Sequence, residues 1–196
     1  MRRERKFKLR AIGLALAFFL AACAAREPLP QFYLLTPPAG GNGRSHGGPS
    51  VYVQRVAVPA YLARNSLVMV RAGNQVAYAS SARWAEPLDQ GIARMVAEGL
   101  NRVAHVQATS FTPTSPPPGD SSYSVAIQLQ RFEGTDTGQV ILTARYQVLA
   151  ANGTDPIAGR SFEARRSGWQ PGDYAGLARL LSEELMELSR AIAHSL

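Results

Sequence analysis

The chain has 196 residues, 46% of them hydrophobic and 18% charged, with 21 Lys and Arg against 14 Asp and Glu and a net charge of +7. A single cysteine excludes an intramolecular disulfide, so the fold must stand on its apolar core. Six of the cations and one acid lie in the first ten residues; beyond residue 22 there remain 15 arginines and 13 acids, a balance too even for a nucleic-acid-binding footprint.

The first element is a basic run, Arg2, Arg3, Arg5, Lys6, Lys8 and Arg10, followed by the uncharged stretch 11–20. A spanning helix needs roughly 20 apolar residues, and this segment falls short of that, so it reads as the removable core of a secretory signal peptide. Small residues then lead to the cysteine. Leu20-Ala21-Ala22-Cys23 resembles the lipobox of bacterial lipoproteins. That resemblance implies cleavage after residue 22, a thioether-linked diacylglycerol and an N-acyl chain such as palmitate on Cys23, and no other cofactor. Acyl chains gain about 0.8 kcal/mol per buried methylene, so two or three of them make a lasting membrane anchor. Ala24, rather than Asp, follows the cysteine, which by the same resemblance implies the periplasmic face of the outer membrane.

Residues 23–31 read as the lipid-anchored tether, and residues 32–196 as a single domain of the size that buries roughly 70% of its unfolded surface. Phe32-Tyr33-Leu34-Leu35 opens it. Residues 37–50 are nearly all Pro, Gly, Ser and polar, the composition of a loop. Residues 51–58, 67–70 and 76–80 are rich in β-branched and apolar side chains and predict three strands, the last two joined by a turn at 71–75. Over 84–104 the period changes: Leu88, Ile92, Met95, Val96, Leu100 and Val103 recur at helical spacing, with Pro87 suited to a first turn.

A strand at 106–111 and a Pro-rich loop at 112–120 follow. Tyr123, Val125, Ile127 and Leu129 then alternate with polar residues, and Val140, Leu142, Ala144, Tyr146 and Val148 repeat the pattern. Asn152-Gly153 signals a tight hairpin into a strand at 157–166, completing an antiparallel meander. Asp173 fits an N-cap for a last helix with Leu177, Leu180, Leu181, Leu185, Leu188 and Ile192 inside and Arg179, Glu183, Glu187 and Arg190 outside. The expected class is α+β, a mostly antiparallel sheet with two long helices packed on one face.

Catalytic patterns are absent from the sequence. His46, His105 and His194 have no metal-ligand spacing, Gly40-Gly41-Asn42-Gly43 is linker rather than a phosphate loop, and there is no nucleophile elbow. Glu86 with Asp89, and Glu183 with Glu184 and Glu187, read as helix-start and solvated-face charges rather than acid/base pairs. The expectation is a protein that is not an enzyme.

Phe32-Tyr33-Leu34-Leu35 after the lipobox, Val56-Ala57-Val58-Pro59-Ala60-Tyr61-Leu62, and Arg83-Trp84-Ala85-Glu86-Pro87-Leu88 opening a helix together resemble the ABC-type transport auxiliary lipoproteins of the PqiC type, over residues 31–194. Ala63 departs from the acidic residue expected there. The resemblance implies a non-catalytic partner of an MCE-type lipid transport system, meeting a periplasmic MCE-domain protein and its inner-membrane permease. It also allows a homo-oligomer. Pro59, Tyr61, Leu62 and Trp84 are the candidate partner-binding residues, because aromatic side chains favour interfaces. Another class fits the same tethered domain: an outer-membrane lipoprotein that activates cell-wall synthesis.

Overall fold

The structure is a computed structural model and describes residues 29–38, 48–114, 119, 121–150 and 156–196. Cys23, the expected signal segment, His46 and the expected Asn152-Gly153 turn lie outside the described residues. In chain order the elements are β1 (Gln31–Tyr33), β2 (Ser50–Val53), β3 (Ser66–Arg71), β4 (Gln75–Trp84), α1 (Leu88–Val103), β5 (Gln107–Ser110), β6 (Tyr123–Thr135), β7 (Gln139–Ala150), β8 (Pro156–Ser167) and α2 (Tyr174–Ala193). A 3₁₀ turn, Ala72–Asn74, joins β3 to β4, with Gly73 and Asn74 at positive φ.

The eight strands form one sheet organised about β6. Along one edge β6 pairs with antiparallel β7, from Tyr123↔Ala150 to Gly134↔Val140, and β7 carries antiparallel β8. Along the other edge two strands share it: β2 runs parallel near its start and β3 parallel near its end. From these the sheet extends to β5, parallel to β2, and through antiparallel β4 to β1, which is parallel to β4. The expected mostly antiparallel sheet is therefore corrected to a mixed one, with four of seven strand pairings parallel. The reason is topological. Alternation marks a half-buried strand whatever its partner, and the parallel partners here are brought together by crossovers that alternation cannot reveal.

Both helices cover the same sheet face. Tyr146 of β7 donates its hydroxyl to the Ala191 carbonyl of α2 (3.1 Å), while Asn101 of α1 bonds both the N–H and the carbonyl of Ala108 in β5 (2.7 and 2.9 Å). Against each other the helices pack backbone-close. A Cβ added to Gly99 would lie 2.3 Å from Ser189 Oγ. Arg166 of β8 ties the edge of the meander to α2, its Nε 2.9 Å from buried Glu184 and its Nη1 3.0 Å from Glu183. Glu184 is thus a buried, paired charge and not part of a solvated face.

Two differences in detail have local causes. The first helix begins at Leu88 rather than Trp84, because Trp84 still belongs to β4, where it pairs with Tyr33 and donates its N–H to the Asn65 carbonyl (2.6 Å). Val103, expected inside, is exposed in the last turn of α1.

Strand β6 contains a bulge. Leu129 pairs with Ala144 and Arg131 with Thr143, so Gln130 is an extra residue. The insertion resets the alternation: Tyr123, Val125, Ile127 and Leu129 face the helices before it, and Phe132 and Gly134 after it. Trp169 closes this end, its indole N–H donated to the Asp173 carbonyl (2.8 Å) and its ring packed where a Gly134 Cβ would be. Asp173 caps α2 as expected, accepting from the Gly176 N–H at 2.9 Å.

Candidate functional site

The two most specific sequence stretches converge on the same part of β6, from opposite sides. Pro59-Ala60-Tyr61-Leu62 is a tight turn, closed by the Leu62 N–H on the Pro59 carbonyl at 2.9 Å. Leu62 is 1% exposed. Tyr61, partly buried, donates its hydroxyl to Glu133 Oε2 at 2.6 Å and also approaches the carbonyl of the bulge residue Gln130 at 3.2 Å. Glu133 is 2% exposed, and its other oxygen accepts from Arg131 Nε at 2.7 Å. Burial, then the hydrogen bond and charge of Glu133, push the Tyr61 phenol far above its ordinary pKa. Trp84 reaches β6 from the helix side. It is 5% exposed and its ring lies 6.1 Å from that of Phe132, centroid to centroid.

Of the four candidate partner-binding residues, Leu62 and Trp84 therefore belong to the interior. Pro59 and the outer edge of Tyr61 reach solvent. Glu86 has a structural task too: its carboxylate receives Arg94, which also donates to Glu98 (3.2 Å) and to the Leu35 carbonyl (2.9 Å). One guanidinium thus joins the Trp84-Ala85-Glu86-Pro87-Leu88 stretch to Phe32-Tyr33-Leu34-Leu35, and the hydrogen bond to Glu86 holds it firmly protonated. Residues that sequence reading missed are Arg94, Gln130 and Glu133. The two consecutive polar residues Gln130 and Arg131, interrupting the alternation between Leu129 and Phe132, were the available signal for the bulge.

Beside the Pro59 turn a groove of about 630 Å³ runs between the β2–β3 connection and the start of α1, lined among others by Val58, Ala63, Asn65 and Pro87. At its rim Arg55 pairs with Asp89 (2.6 Å) and lies over the Phe111 ring at 5.7 Å. A second cavity, about 420 Å³, sits at the C-terminal ends of both helices and is lined by His105, Arg190 and His194. The fold brings these two histidines together although their spacing gave no hint of it. Among the described residues no group of three or more His, Cys, Asp or Glu is placed to hold a metal, and no helix is long and apolar enough to cross a membrane.

A mixed sheet under two helices, bearing a turn-and-groove surface, defines a small domain of mixed α and β content. Residues 33–193 match the family described as ABC-type transport auxiliary lipoprotein component, and the chain belongs to that family. Its relatives include the intermembrane transport lipoprotein PqiC of Escherichia coli strain K12 and that of Shigella flexneri, each 27% identical over 132 residues, covering 66% of this chain and 68% of the relative. The family is the PqiC type that the sequence motifs resemble. Among solved structures, a crystal structure of an uncharacterized protein shares the fold with a TM-score of 0.70 at 21% identity, covering 85% of this chain and 98% of that one. A Xanthomonas campestris protein gives 0.64 at 17% identity, over 83% and 92%.

Proposed function

We propose that this chain is a non-catalytic auxiliary component of an MCE-type ABC lipid transport system, anchored through acylated Cys23 to the periplasmic face of the outer membrane. The observation that carries this reading is the family match across nearly the whole described domain, joined to a lipobox-like Leu20-Ala21-Ala22-Cys23 a few residues upstream. PqiC's own name, intermembrane transport lipoprotein, supports transport between membranes as the setting. Energy for transport would come from a separate ATPase, since the sequence offers no phosphate-cradling loop.

In this role the domain is a docking element. Anchoring raises the effective concentration of domain and partner, so a modest interface suffices. Pro59, the solvent edge of Tyr61 and the adjoining groove are the surface offered to the MCE-domain protein, with Leu62 and Trp84 shaping it from beneath. Affinity purification from cells cross-linked in vivo tests the proposal. The expected co-purifying proteins are an MCE-domain protein and its permease; repeated recovery of cell-wall synthases alone would refute it in favour of the synthase-activator reading.

A further inference from the structure

Exposed large apolar side chains cluster on one segment: Leu29, Phe32 and Leu34, at 86%, 65% and 50% exposure, fall within six consecutive residues. The backbone around Phe32 and Leu34 is clamped. The Tyr33 carbonyl accepts from the Ala85 N–H (2.9 Å), the Leu35 carbonyl from Arg94 (2.9 Å), and the Thr36 N–H donates to Ser182 Oγ (3.2 Å). Side chains alternate along this stretch, so with Tyr33 and Leu35 turned inward, Phe32 and Leu34 are held outward. Strand β1 has β4 as its one partner among the described residues, which leaves its outer side open.

Chain length says what lies against it. Leu29 lies six positions after Cys23 and Phe32 nine, distances along the chain that span at most about 20 and 30 Å when fully extended. An acyl anchor at Cys23 therefore holds this segment within reach of the lipid headgroups. We infer that Leu29, Phe32 and Leu34 seat the domain on the phospholipid surface itself, so that the β1 edge faces the bilayer. The inference rests on the acylated Cys23 of the proposed function and adds an orientation to it. The acyl chains alone would leave the domain free to tumble on its tether, whereas apolar side chains fixed to the fold convert attachment into a defined pose.

Full-length acylated protein in vesicles of phosphatidylethanolamine and phosphatidylglycerol provides the test, with Phe32→Trp, or Leu34→Trp should the first fold poorly, as reporter. Trp84 and Trp169 are buried and give a steady background. With brominated acyl chains, most of the introduced indole's emission should be lost while the wild-type background changes little. An indole that keeps its emission in vesicles retaining the acylated protein overturns the inference. So does one whose emission shifts to the blue without quenching, which means that another protein surface covers it. The mass of the N-terminal peptide is measured in parallel: an unacylated Cys23 with the protein free in the supernatant sinks the anchor and the pose together, and acylated but unquenched protein sinks the pose alone.

Discussion

Tyr61 shares one hydroxyl proton between a buried carboxylate and the carbonyl of a bulge, which ties the turn holding it to strand β6. Its phenol, like that of Tyr52, is raised above the ordinary value near 10, first by burial and for Tyr61 also by Glu133. A raised acid means that the fold favours the protonated form; the resulting stability is complete below about pH 10 and is lost as the pH climbs toward the folded-state value. Melting temperatures followed by circular dichroism across that range should fall more steeply for wild type than for Tyr61→Phe. At neutral pH the variant should already be weaker by about 1–3 kcal/mol, because Glu133 loses a donor. Trp84→Ala probes the other side of β6. Loss of a ring packed on Phe132 should cost about 3–5 kcal/mol in urea unfolding. An unchanged urea midpoint would contradict the interior role.

Between the helices the decisive contact involves the smallest residue available. Gly99→Ala would set a methyl 2.3 Å from Ser189 Oγ and 2.6 Å from its Cβ. Helix propensity favours alanine by about 1 kcal/mol, yet overpacking of this kind typically costs about 1–3 kcal/mol, so a net loss of stability is expected. Adding Ser189→Gly should restore much of it in a double-mutant cycle measured by urea unfolding. Elements of this kind were legible in the sequence where their signal was periodic: the Leu177 to Ile192 stripe of α2 is buried throughout, and the meander β6–β7–β8 follows from alternation and turn chemistry. The parallel neighbours of β2, β3 and β4 were not, because crossovers leave no local trace. The candidate site was half legible. Its stretches Pro59-Ala60-Tyr61-Leu62 and Trp84-Ala85-Glu86-Pro87-Leu88 stood out, but whether Leu62 and Trp84 point to solvent or into the core depends on packing partners distant in the chain, such as Phe132 for Trp84.

Taken as a whole, the proposed attachment and the architecture fall on separate parts of the sequence: the core of the described residues runs from Leu35 to Ile192, and Cys23 precedes it in the chain. Cys23→Ala should therefore move the protein from the membrane fraction to the soluble fraction while leaving its melting temperature unchanged; retention in the membrane fraction would contradict acyl anchoring. The extra residue at Gln130 has a further implication. Upstream of it, odd-numbered side chains face the helices; downstream, even-numbered ones do, which is how Phe132 meets Trp84 while its neighbour Glu133 meets Tyr61. Removing that one residue while keeping the register of the first half would exchange the two, turning an acid toward the greasy layer and an aromatic ring toward the phenol. Relatives of this protein should consequently obey a parity rule, gaining or losing residues in the early part of this strand in pairs, or else shifting the bulge to compensate.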